Sequence, residues 1–178
     1  LARIGGPAAS EFLGRVLNNT ANLTATRSPE VLVRQAAMES WRLGASAPTR
    51  QLIALAQTED DELRWRVIFS LGQLKTPTAG STIVGALQDR HPTVRMYAAK
   101  TLTATYVATA GLEPAGVIQL LARGARDENA GVRINALRLA EPRLTQAILT
   151  ATAKLVDDPN LKVRLQLACT LGEWNDRR

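Results

Sequence analysis

Few side chains in this 178-residue chain have the chemistry of a catalyst: one cysteine, Cys169, one histidine, His91, and a run of four acids, Glu59-Asp60-Asp61-Glu62. A thiol becomes a useful nucleophile when a base or a positive environment lowers its pKa from about 8.5. His91 precedes Pro92 in a turn far upstream of Cys169. Cys169 therefore reads as a small inert side chain and His91 as a loop residue. A lone cysteine also leaves nothing for an internal disulfide or a cysteine-built zinc site. The acidic run stands at the predicted start of a helix over Leu63 to Leu74. Carboxylates there offset the positive end of the helix dipole by about 0.3–1 kcal/mol each. A divalent cation would instead need oxygens converging from several directions. The residues assign no catalytic group, no metal ligand and no cofactor to the chain, and they point away from an enzyme.

Arginine is the residue that repeats. There are 18 arginines against four lysines, a net charge of +6 and a sequence pI near 10.2. Five arginines follow an apolar residue and precede a small or apolar run: Val33-Arg34, Leu63-Arg64, Val94-Arg95, Val132-Arg133 and Val163-Arg164. They are separated by 30, 31, 38 and 31 positions. Six residues before them stand Asp89, Asp127 and Asp158 in three copies, and Ser28 and Thr58 in the other two. All five are helix N-cap or turn formers, and Pro29, Pro92 and Pro159 sit in the same loops.

These groups need elements to position them, and the period names the elements. Self-similarity at 20 to 50 residues means one supersecondary unit that must stack on its neighbours to bury its apolar face. Upstream of each arginine helix lies a second amphipathic segment: Ala8 to Leu17, Pro48 to Gln57, Pro77 to Gln88, Ala115 to Gly124 and Thr145 to Val156. The unit is thus helix, turn, helix. Leu43-Gly44 and Leu71-Gly72 read as helix ends, with Pro48 and Pro77 opening the next units. The whole of 1–178 is read as one all-α superhelix of about five helical hairpins, roughly 7–44, 48–74, 77–107, 114–141 and 144–174. Leu1 to Pro7 matches Leu71 to Pro77, so the solenoid is expected to be truncated at both ends.

The pattern resembles the HEAT family of helical repeats over nearly the whole chain. In that family the loop aspartate and the second-helix arginine form a ladder of hydrogen bonds between repeats. The resemblance therefore makes Arg34, Arg64, Arg95, Arg133 and Arg164, with Asp89, Asp127 and Asp158, structural rather than ligand-binding. The first repeat departs from the pattern, with Ser28 for aspartate and a polar loop, Asn18 to Arg27, longer than the usual connection of about 2–8 residues.

With the anchor apolar residue and the positions four and eight beyond it facing the core, the positions two and five past each arginine face the concave surface. Those are Arg66 and Phe69, Tyr97 and Lys100, Asn135 and Arg138, and Gln166 and Cys169, with Trp65 adjoining. Aromatic, amide and basic groups in one stripe suit a protein or peptide partner, which solenoids commonly hold on this surface. A soluble helix face with gap-filling aromatics would give the same pattern, and Trp41 and Trp174 read as packing residues. The alternative is a nucleic-acid module using a basic concave face, but Glu39, Glu141 and Glu173 interrupt a phosphate path. With 46% hydrophobic residues and no run near the ~20 needed to cross a bilayer, no membrane segment is expected.

A narrower resemblance covers the last two repeats. Val132-Arg-Ile-Asn-Ala-Leu-Arg-Leu-Ala-Glu-Pro142 and Asp157 to Trp174 are similar to the HEAT segment of large planctomycete and verrucomicrobial haem-binding, dehydrogenase-like proteins. The resemblance implies an exported bacterial parent in which haem c sits in another module, since Cys-x-x-Cys-His is absent here. The function expected is a non-catalytic interaction or interdomain scaffold whose partner is a protein, a peptide or another domain of the same polypeptide.

Overall fold

The computed structural model describes residues 6–18, 28–140 and 146–175. Regular structure within them is helical throughout. Helix α1 spans Pro7–Leu17 and α2 Pro29–Glu39, followed by a 3-10 stretch over 40–46. Then come α3 Thr49–Leu55, α4 Asp61–Leu74, α5 Gly80–Ala86, α6 Pro92–Thr101 and α7 Ala104–Thr109. The chain continues with α8 Pro114–Gly124, α9 Ala130–Ala140, α10 Gln146–Thr152 and α11 Leu161–Asn175. No helix here is long and apolar enough to cross a membrane. The Asn18 to Arg27 loop beyond Asn18, Leu1 to Gly5, Glu141 and the Trp174 side chain lie outside the described set.

Local chemistry sets the helix starts. Proline occupies the first turn of α1, α2, α6 and α8, where its missing N–H costs nothing. Asp60 caps α4 by accepting from the Glu62 and Leu63 N–H groups, at 3.0 and 3.1 Å. Asn129 caps α9 in the same way, accepting from Gly131 and Val132 at 2.8 and 3.3 Å. The loop aspartates sit two residues earlier and close a tighter turn: Asp89, Asp127 and Asp158 accept from the N–H of His91, Asn129 and Asn160 at 2.7, 2.9 and 2.9 Å. Of the two roles the sequence allows these residues, N-cap or turn former, the three aspartates take the turn, while Ser28 stands at the N-cap position of α2.

Second helices α2, α4, α6, α9 and α11 form one layer and first helices α1, α3, α5, α8 and α10 the other. The second helices pack more extensively on one another than the first helices do, which makes theirs the shorter, inner layer of the curve. Between the layers runs a continuous core, in which the anchor face contributes Leu63, Val67 and Leu71, then Val94, Ala98 and Leu102, then Val132 and Ala136, then Val163 and Leu167. First helices supply Ala9, Leu13, Val16, Leu52, Ile83, Val117 and Leu121 from the other side.

Two features depart from the expected pattern. Gly72 does not end its helix: α4 runs on to Leu74 and closes at Lys75, which takes the left-handed conformation (φ 51°). Gly72 instead lets α6 approach, because the hydroxyl of Thr101 stands where a β-carbon would be. Gly44 does hold positive φ (54°), as expected of a residue closing a helical stretch. The longest interval between arginines contains α7, an extra short helix capped by the Thr103 hydroxyl, which accepts from the Tyr106 N–H at 3.2 Å. Tyr106 is 2% exposed, and its hydroxyl donates to the Thr76 carbonyl at 2.9 Å, pinning α7 to the start of the preceding first helix.

Candidate functional site

A complete rung arginine, as at Arg64, Arg95 and Arg133, joins two consecutive loops. Through Nη1 it donates to the carbonyl six residues back in its own repeat, as Arg164 also does: Arg64 to Thr58, Arg95 to Asp89, Arg133 to Asp127 and Arg164 to Asp158, at 2.8, 2.9, 2.8 and 2.6 Å. Through Nε and Nη2 it reaches forward to the aspartate of the next repeat. Arg64 meets Asp89 at 2.9 and 3.0 Å, Arg95 meets Asp127 at 2.6 and 2.9 Å, and Arg133 meets Asp158 at 2.7 and 2.8 Å. The planar fork matches the carboxylate with two parallel bonds, the geometry that only arginine provides. These three pairs are largely buried, with 4–14% of each side chain exposed.

The first rung is built differently. Arg34 Nε donates to Asp60 Oδ2 at 2.9 Å, so its carboxylate comes from the α4 cap and not from position 58. Both side chains there are about one-third exposed, at 32% and 28%. Thr58 needs no carboxylate, since its backbone oxygen is the part the repeat uses. Arg164 is exposed on α11.

Electrostatics follow from these contacts. At Asp127, burial alone would raise the pKa, but the Arg95 fork and the Asn129 N–H outweigh it and hold the carboxyl below its ordinary value. The Arg133 hydrogen bond dominates at Asp158 and lowers it too. Asp60 is likewise lowered, with burial opposed by Arg34 and the two cap N–H groups.

On the inner layer the structure brings most of the predicted stripe together. Trp65 stacks on Tyr97 with ring centroids 5.5 Å apart and planes 15° from parallel. Phe69 meets Tyr97 edge to face at 5.5 Å, and Trp41 meets Phe69 the same way at 6.4 Å. Arg66 lies over Trp65 at 4.1 Å while pairing with Glu62, and Arg42 lies over Trp41 at 4.7 Å while pairing with Glu39. Lys100 and Arg138 are exposed, and Arg138 Nε donates to Gln166 Oε1 at 3.0 Å. Cys169 is exposed on the same helix as Gln166. Asn135 is the exception among the stripe residues: it is 7% exposed, and its amide donates back to the Gly131 carbonyl at 2.8 Å. Its position is equivalent to Arg66 and Tyr97, but a short amide can satisfy itself on its own helix where longer side chains reach outward.

A second cross-repeat tie was missed by the sequence reading. Six residues past an anchor arginine, Ser70 donates to the Ala37 carbonyl of the preceding second helix at 2.5 Å, and Thr170 donates chiefly to the Gln166 carbonyl of its own helix at 2.9 Å with the Leu137 carbonyl of the preceding one at 3.4 Å. Ser40 and Thr101 occupy the same position but bond within their own helices, to Ala36 and Tyr97 at 2.7 and 2.9 Å. The recurrence of a small hydroxyl there in four of five copies was the available signal.

Helix pairs laid side by side, stitched loop to loop by arginine and carboxylate, define an α-solenoid repeat protein. The chain belongs to the HEAT-repeat family, whose profile matches residues 49–140. Among curated proteins no sequence matches it. Among solved structures it is similar to YibA of E. coli, with a TM-score of 0.68 and 18% identity over 94% of this chain, and it spans 61% of the length of YibA. It is similar to the CpcE–CpcF complex of phycocyanin lyase from Nostoc sp. PCC7120, with a TM-score of 0.61 and 22% identity over 92% of this chain and 98% of the other. A designed armadillo repeat protein in complex with the peptide (KR)4 gives 0.68 and 17% identity over 98% of this chain and 88% of the other. These likenesses concern the repeat fold. The narrower haem-protein likeness of the last two repeats is not among them.

Proposed function

We propose that the chain is a binding scaffold that holds a protein or peptide against the inner face of its second helices. The observation that supports this best is the ring cluster of Trp41, Phe69, Tyr97 and Trp65, which is half-buried on the helix surface and set beside the exposed cations Lys100 and Arg138. Rings flanked by charge combine large apolar contact area with polar edges, the composition enriched where proteins meet. The three doubly bonded rungs are largely buried and spend their forks and carboxylates on one another. A nucleic-acid reading is disfavoured because Arg42 and Arg66 are neutralised by Glu39 and Glu62, which cuts any phosphate path along the row. If residues 132–174 do come from a haem-protein-like parent, the partner is another domain of that polypeptide.

An arrayed peptide library probed with the chain and with a Lys100→Glu/Arg138→Glu variant tests the reading. Peptides retained by the wild type and lost by the variant support it. Submicromolar, steeply salt-dependent binding of duplex DNA in place of peptides overturns it.

A further inference from the structure

The position five past each anchor arginine forms a row across the inner face: Glu39, Phe69, Lys100, Arg138 and Cys169. Its charges are handled differently at the two ends. On α4 and on α2 with the 3-10 stretch that follows it, the cations near the row have carboxylates, Arg42 with Glu39 and Arg66 with Glu62. On α6 and α9 the row carries Lys100 and Arg138, and among the described residues neither is paired with a carboxylate; the one side chain that Arg138 meets is the neutral amide of Gln166. Among the described residues the face is therefore charge-neutral and aromatic over two repeats, then cationic over the next two.

Resting on the scaffold reading above, we infer that this row takes an extended acidic peptide segment. Its carboxylates lie over Lys100 and Arg138, and a neighbouring apolar side chain rests against the Trp65, Phe69 and Tyr97 cluster. Adjacent helices lie about 8–10 Å apart and an extended chain advances about 3.3 Å per residue. Ligand side chains that serve successive second helices are then spaced about three residues apart. A basic segment finds no such match, because Glu39 and Glu62 already hold their arginines. The Trp65 ring is already engaged by Tyr97 and by Arg66, so the apolar side chain meets ring edges and the surface of Phe69.

The test uses two synthetic peptides in a Gly/Ser background. One carries phenylalanine and two glutamates at three-residue intervals; the other has lysine for glutamate. Each is titrated by fluorescence anisotropy at low salt into the full chain and into the Lys100→Glu/Arg138→Glu variant, whose exposed substitutions leave the helical circular dichroism unchanged. The expected result is about fivefold tighter binding of the glutamate peptide to the wild type, a modest ratio because exposed pairs are weak, and a reversed preference in the variant. Equal or tighter binding of the lysine peptide to the wild type overturns the acidic assignment while leaving the inner face as a binding surface. Binding of neither peptide also overturns it, and the library experiment then reports separately on the scaffold reading. A preference that survives in the variant places the acid-selective site elsewhere and overturns the inference as well.

Discussion

Asp158 shows how much one side chain carries in this architecture. Its Oδ1 accepts from the Asn160 N–H to shape its own loop, both oxygens accept the Arg133 fork, and its carbonyl accepts from Arg164. Replacing Arg133 with alanine leaves that carboxylate desolvated and unmatched, a loss of about 3 kcal/mol. For a chain of this length it lowers the thermal midpoint by about 6–12 °C in scanning calorimetry. The pH dependence follows from the depressed carboxyls at Asp127 and Asp158. The unfolded chain takes up protons at its ordinary aspartate pKa of about 3.9 while the folded one resists, so this contribution is complete above that value and is lost as pH falls through the lower folded values. Asp158→Asn should cost stability at pH 7 and flatten the decline below about pH 4 in denaturant titrations at stepped pH. Spacing alone made the arginines and aspartates visible, but not their direction. The same aspartate stands six residues before one arginine and 25 or 32 after another, and only the fold shows that the first is met by its carbonyl and the second by its carboxylate.

At the scale of elements, close approach decides more than propensity. Gly72→Ala puts a methyl into the space of the Thr101 hydroxyl between α4 and α6 and should cost about 1–3 kcal/mol. Thr101→Ala in the same chain should recover part of that loss, a coupling readable in a double-mutant cycle by urea unfolding. Tyr106→Phe deletes the hydroxyl that holds α7 to Thr76 and should cost about 1 kcal/mol with the denaturant slope unchanged. The five hairpins were readable because an anchor residue with apolar partners four and eight beyond it recurs with little noise. Helix α7 was not, since Ala104-Thr-Tyr-Val-Ala-Thr109 is too short to show a helical period. The 38-residue interval between Arg95 and Arg133 was its trace in the sequence. Asn135 was expected on the open inner face and is buried for a related reason: register predicts which way a Cβ points, and not whether the group beyond it folds back.

At the scale of the molecule, two kinds of chemistry are divided between two edges of one layer. The loop edge of the second helices carries the ladder, and their inner face carries rings and the exposed cations Lys100 and Arg138. The division predicts that Lys100→Glu with Arg138→Glu leaves the thermal midpoint within about 1–2 °C of the wild type, since both side chains are exposed and neither bonds to a ladder group. Tyr97→Ala is expected to lower it, because Tyr97 joins Trp65 and Phe69 across two repeats. A tyrosine on the face thus ties neighbouring repeats together, which the sequence pattern could not show.

The lone bond and greater exposure of the Arg34–Asp60 rung have a mechanical meaning. Drawn apart along its axis, the protein would part first between α2 and α4, shedding the leading hairpin while the doubly bonded rungs behind it hold. Optical-trap extension should show that small early step, and Arg34→Ala should remove its force peak without moving the later ones.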